Sequence, residues 1–175
     1  MKIYITKLNG MHAKSTEQFV QHGTADIAHS LGIREMGIYR YNAADESLEH
    51  RNRRLDGIIA GIAAGDFVIC QFPTLNGLEF DRALVRHIRA YHGHVIIFVR
   101  EMEPGIIEER QSVWSEMAGL YNEAEALIVP SDAMKQFLIR QGIRGSMRFI
   151  VQEMLDVTLN PYRSEQNGLK RGIHY

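Results

Sequence analysis

Residues 55–81, LDGIIAGIAAGDFVICQFPTLNGLEFD, restrict the fold more than any other stretch. An apolar helix pattern rich in small residues meets the breaker Gly65-Asp66. A β-branched run from Phe67 to Cys70 follows, then a proline-containing loop over 71–77 that opens another helix. Strands buried on both faces read as continuous apolar runs of this kind, and they belong to sheets covered by helices on both sides. Ligands of such open sheets bind outside the carboxyl ends of the strands, so the loop Gln71-Phe72-Pro73-Thr74 is the first place to look for a site.

The same alternation fills the chain. Apolar periodicity predicts strands over 2–6, 36–41, 67–71, 95–99, 126–130 and 148–151. Helical patterns occupy 16–30, 48–64, 78–91, 111–122 and 132–141. Ser15 or Thr16 suits the cap of the first helix, with Gly32 past its end; Ser131 and Gly142 bracket the last. Strands alternating with helices imply parallel pairing through right-handed crossovers, hence an α/β fold with a doubly wound, mainly parallel, Rossmann-like sheet.

One such domain accounts for residues 1–155. At 175 residues and 45% hydrophobic, the chain can bury about 70% of the surface its unfolded form exposes. A polar, turn-rich stretch over 156–168, with Asn160-Pro161 and Asn167-Gly168, reads as a linker. Residues 169–175 read as the first strand of a second domain, so the chain is expected to be a fragment. A net charge of −1 gives no electrostatic case for nucleic acid or anionic membrane. The single cysteine, Cys70, lies inside an apolar run and reads as a core residue. With no secretory leader and no apolar run near the ~20 residues of a spanning helix, a cytoplasmic protein is expected.

Familiar cofactor signatures are missing. The loop after the first strand, Leu8-Asn9-Gly10-Met11-His12-Ala13-Lys14, is neither a dinucleotide fingerprint nor a phosphate loop. His92-Gly93-His94 stands beside no carboxylate or thiol, so neither a metal nor a cofactor is expected. Polar groups do gather on the strand-to-helix loops: Asn9, Gly10 and Thr16, then Thr74 and Asn76, then Glu101 and Glu103, then Ser131. Capping, turn formation and solvated loop charge account for each of them equally well, so the pattern supports a polar cleft without fixing an activity.

Across nearly its whole length the chain resembles the amino-terminal half of a known family. The matching residues are Asn9-Gly10, Ser15-Thr16, Leu31-Gly32, Gly37-Ile38-Tyr39, Arg54-Leu55-Asp56-Gly57-Ile58, Ala60-Gly61, Gly65-Asp66, Gln71, Pro73-Thr74, Asn76, Glu79-Phe80-Asp81, Tyr121-Asn122, Pro130-Ser131, Met134, Gln152 and Asp156. The family comprises glucosyltransferases that extend sugars on serine-rich-repeat adhesins of Gram-positive bacteria, with relatives often labelled galactofuranosyltransferases. The resemblance implies a GT-B architecture, with this chain as the acceptor-side domain. The nucleotide sugar would be held mainly by a second domain starting near Gly168-Leu169-Lys170-Arg171.

It also implies roles. Asn9, Gly10 and Thr16 would lie near the donor sugar and diphosphate, Pro73, Thr74 and Asn76 would meet acceptor hydroxyls, and Glu101 would be the catalytic base. The implied partners are a UDP-sugar donor and a glycosylated serine-rich-repeat acceptor, and a homo-oligomer is compatible with the sequence. Two departures stand out: Arg100-Glu101 replaces an expected His-Asp pair, and Leu155 replaces an expected tryptophan. Glu101 keeps the carboxylate, whereas Arg100 is a permanent cation and cannot act as a base. Two rival classes predict different features. A non-enzymatic doubly wound binding domain would pack residues 169–175 as part of itself, and a flavodoxin-like carrier would need a hydroxyl-rich phosphate loop that residues 9–14 do not supply.

Overall fold

The computed structural model of the chain describes residues 1–12, 15–41, 46–100 and 111–152. The elements run β1 (Ile3–Asn9), α1 (Thr16–Ser30), β2 (Arg34–Tyr39), α2 (Leu48–Ile59), β3 (Phe67–Phe72), α3 (Leu78–Ala90), β4 (His94–Val99), α4 (Gln111–Asn122), β5 (Ala126–Val129), α5 (Asp132–Arg140) and β6 (Arg148–Val151). The strands form one six-stranded parallel sheet in the order β2-β1-β3-β4-β5-β6. The doubly wound α/β expectation is met.

Apolar patterning explains the layers. α3 buries Phe80, Leu84, Val85 and Ile88 along one stripe. With Leu55 and Ile59 of α2, Leu120 and Tyr121 of α4 and Leu138 of α5, they cover one face of the sheet through Val68, Cys70, Ile97 and Leu127. α1 lies on the opposite face, where Ala25 and Ala28 pack on Ile5. Cys70 is fully buried, as expected of a core residue, and burial pushes its thiol pKa up, with Asp81 adding to the effect. Among the described residues no helix is long and apolar enough to cross a membrane.

Three elements differ from the periodicity by two residues or more. β1 continues through Lys7 to Asn9, because the Lys7 ammonium reaches Asp26 of α1 at 3.0 Å and Glu35 of β2 at 2.9 Å and so fits within a strand. β2 starts at Arg34 and ends at Tyr39; as an outermost strand it pairs on one side only and tolerates polar residues there. α2 stops at Ile59, where the turn Ile62 N to Ile59 O (2.9 Å) begins the passage to β3. Ser15, not Thr16, caps α1, its hydroxyl accepting from the Gln18 amide at 3.3 Å. The expected linker over 156–168, the second-domain strand over 169–175 and the loop bearing Glu101 and Glu103 lie outside the described residues.

Candidate functional site

The chain passes from β1 to β2 on one side and then crosses β1 to reach β3 on the other, which makes the boundary between β1 and β3 the topological switch point. The ladder there is short. β1 pairs with β2 over six positions, to Asn9 with Tyr39, and β3 pairs with β4 over six, to Phe72 with Val99. β1 and β3 pair over only three, ending at Ile5 with Ile69. Beyond that point side chains replace the ladder. The Gln71 amide donates to the Thr6 hydroxyl at 2.7 Å, and Gln71 Nε2 donates to the carbonyls of Thr6 (2.7 Å) and Gln21 (3.1 Å). Arg100, 8% exposed at the end of β4, donates through Nη1 to Thr24 Oγ1 at 2.9 Å and to Gln71 Oε1 at 3.2 Å. Thr6, Gln21, Gln71 and Arg100 thus form a buried polar cluster where the strands part, each satisfying another's hydrogen-bonding groups where the ladder no longer does.

Loops rise from this cluster. Gly10 turns the chain at φ +80, and the next amide, Met11 N, donates to Gln18 Oε1 of α1 at 2.8 Å. α1 therefore begins at the carboxyl end of β1, with Thr16 exposed in its first turn and the positive end of the helix dipole at the same edge of the sheet. After β3 the Phe72–Pro73 peptide is cis, Pro73 is exposed, and its carbonyl accepts from Gln21 Nε2 at 3.3 Å. Leu75 sits at φ +61, a left-handed conformation that costs a branched L-residue about 1–2 kcal/mol. Strain of this sort gathers at functional loops.

Thr74 and Asn76 flank Leu75 and are turned inward. The Thr74 hydroxyl donates to Asp81 Oδ1, its amide lies 3.4 Å from Asp81 Oδ2, and Thr74 is 1% exposed. Asn76 accepts from the Tyr41 amide at 2.8 Å and donates to the Tyr39 carbonyl at 3.2 Å. The Arg40 amide in turn donates to the Asn9 carbonyl at 2.7 Å. The loops after β1, β2 and β3 are stitched into one wall, with Asn9, Gly10, Thr16 and Pro73 on its accessible side and Thr74 and Asn76 inside it. Glu101 falls outside the described residues. Burial pushes the Asp81 carboxyl up to about 7, against the opposing hydrogen bonds from Thr74.

The sequence places Gln71 in the loop to inspect first but gives it no partner, and it assigns no role to Thr6, Gln21 or Asp81. The available signal was a polar residue at an interior position of an apolar run, Gln71 within FVICQF being the clearest case. The sequence presents Arg100 only as a cation unfit to be a base; the structure gives it the holding of Gln71 and Thr24.

Residues 2–154 match the family model described as glucosyltransferase 3-like, N-terminal domain. The whole chain aligns with glucosyltransferase 3 of Streptococcus parasanguinis at 36% identity over 177 aligned positions, covering 52% of that relative. Glucosyltransferase 3 of Streptococcus gordonii is 35% identical over 162 positions, covering 93% of this chain and 47% of the relative. The chain thus spans about half the length of these relatives. With a family model matching nearly the whole of its parallel α/β fold and relatives 35–36% identical along it, the chain belongs to the glucosyltransferase 3-like family and corresponds to its amino-terminal domain.

Proposed function

We propose that this domain is the acceptor side of a two-domain GT-B glycosyltransferase acting in the cytoplasm. The reaction is transfer of a hexose such as glucose or N-acetylglucosamine from a UDP-sugar to a sugar already present on a serine-rich-repeat adhesin. The observation that carries this reading is the early end of the β1–β3 ladder at the switch point, where Gln71 and Arg100 are buried beside the start of α1, in a chain of this family.

Chemistry assigns the parts. Negative charge builds on the departing diphosphate, and the amides at Asn9, Gly10 and Thr16 supply partial positive charge there. The acceptor enters beside Pro73, while Thr74 and Asn76 hold that loop in place rather than offering free groups to the sugar, since both are engaged with Asp81, Tyr39 and Tyr41. Glu101 takes the proton from the acceptor hydroxyl as it attacks the anomeric carbon. The cations that neutralise the diphosphate come from the second domain, with no metal required. Hexose transfer from UDP-glucose or UDP-N-acetylglucosamine to a glycosylated serine-rich peptide by the full-length protein tests the reading. Product carrying one added hexose is expected; hydrolysis alone, or no turnover with either donor, overturns it.

A further inference from the structure

The loop that follows β3 is anchored from below by one buried acid. Both carboxyl oxygens of Asp81, in the first turn of α3, are committed to a single residue: Oδ1 accepts from the Thr74 hydroxyl, and Oδ2 faces the Thr74 amide at 3.4 Å. On the far side of Leu75, at φ +61, Asn76 holds the backbone of Tyr39 and Tyr41. The unfavourable turn at Leu75 is thus kept between two anchors, and release of either lets it relax.

The two anchors differ in what can loosen them, because the Asn76 amide is neutral at every pH whereas Asp81 titrates. A neutral carboxyl is satisfied by one hydroxyl partner, but a carboxylate enclosed here has only that hydroxyl and one long amide in place of water. Its neighbours do not offset the charge. Cys70 of β3 and Tyr121 of α4 face it, both buried and both held protonated by burial and by Asp81 itself. β4 brings Val95, Ile97 and Val99 to the same core. Arg54 of α2 lies over the adjacent Phe80 ring and is paired with Glu46, while Arg82 of α3 is paired with Glu79 and Glu116. Among the described residues no cation pairs with Asp81. Burial therefore raises the carboxyl to about 7, and ionisation above that value favours a loop that moves off Asp81 and admits water.

We infer that Asp81 is a positioning residue for the acceptor: while neutral it seats Thr74 and keeps the loop 73–76 shaped to receive the acceptor beside Pro73, and as a carboxylate it lets that loop go. The inference rests on the transferase reading above, in which the acceptor enters there. In the full-length protein, with UDP-glucose or UDP-N-acetylglucosamine and a glycosylated serine-rich peptide, acceptor KM should rise about tenfold between pH 6 and pH 8, with kcat following a separate profile. Asp81→Asn, which cannot ionise, should keep KM flat at its low-pH value. Thr74→Val, which removes a bond favouring the carboxylate, should move the rise to higher pH, and Thr74→Ser should return it. In the ¹⁵N-labelled chain the amides of Tyr41, Thr74 and Asn76 should titrate together over the same range and stay still in Asp81→Asn. A flat KM where transfer occurs, a KM profile that Asp81→Asn preserves, a Thr74→Val loss equal at every pH, or loop amides that do not titrate each overturn the inference. If no hexose is transferred while those amides titrate together and Asp81→Asn silences them, the control of the loop by Asp81 stands and only the transferase reading falls.

Discussion

Two buried aspartates at opposite ends of the sheet have nearly the same accessible surface and opposite electrostatics. Asp66, 2% exposed, lies just before β3; Asp81, 4% exposed, lies in the first turn of α3, beyond the carboxyl end of that strand. Asp66 accepts the amides of Ala63 at 3.0 Å and Lys2 at 2.6 Å, and these bonds hold its carboxyl below the usual range. Asp81 has one hydroxyl and one distant amide, both from Thr74, so burial wins and raises it to about 7. How deeply the carboxyl itself is enclosed, and how many N–H donors reach it, together decide whether such an acid stays charged; the residue's accessible area does not. The amino end of the sheet is accordingly tied as structure, and the carboxyl end keeps a group that titrates near neutrality.

The largest effect expected at the carboxyl end is on turnover. In the full-length protein, Glu101→Gln should lower kcat by roughly 10²–10⁴-fold, as removal of a general base does, with acceptor KM little changed. Near-normal kcat would demote Glu101 to a loop charge.

The paired aspartates make the next prediction, with opposite signs. Asp81 binds its proton more tightly folded than unfolded, so its contribution is full below its ordinary value of 3.8 and is lost as pH rises toward about 7. Across that window stability should decline by up to roughly 1.4 kcal/mol per pH unit through this group. Asp66 binds its proton less tightly folded, so its contribution holds above 3.8 and is lost as pH falls below that value. Melting temperatures measured from pH 3 to 8 should show Asp81→Asn flattening the neutral limb and Asp66→Asn lowering stability while flattening the acid limb. Identical profiles for the two variants would erase the contrast between the ends.

Smaller effects test the start of α1. Ser15→Ala should cost about 1 kcal/mol of unfolding free energy, the value of a lost helix cap. Thr16→Ala should stay within about 0.5 kcal/mol, as suits an exposed residue that caps nothing. Reversal of that order by urea denaturation would return the cap to Thr16. Finally, calorimetry of this chain with UDP or UDP-sugars should detect no tight site, because the proposed donor cations lie in the second domain. Micromolar binding that depends on residues 9–12 would move the donor onto this domain.

The fold was legible because every β3-like run in the sequence is apolar at consecutive positions, which antiparallel sheets with a wet face do not require. Strand ends were less legible where a polar residue is satisfied by partners distant in sequence: Lys7 reads as a strand terminator until Asp26 and Glu35 are placed beside it. The loops carrying Asn9, Gly10, Pro73, Thr74 and Asn76 were found by their position after strands, a local property. What the side chains of Thr74 and Asn76 bond to was hidden, because the partners, Asp81 and the backbone at Tyr39 and Tyr41, are fixed only by tertiary structure. Likewise nothing local distinguishes Thr6 as the residue whose hydroxyl ends the β1–β3 ladder.

On the proposed reading, in which the acceptor enters beside Pro73, the stitching of the three loops bears on how acceptor preference can change. Asn76 holds the backbone at both Tyr39 and Tyr41, and the Arg40 amide between them holds Asn9. A graft of the β3 loop alone, brought from a relative lacking an amide side chain at this point, would strip two backbone groups of their partners in the loop after β2. The selectable unit is therefore the trio of loops rather than any one of them, and variants in this family that swap acceptors should exchange all three together or keep Asn76 as a fixed joint.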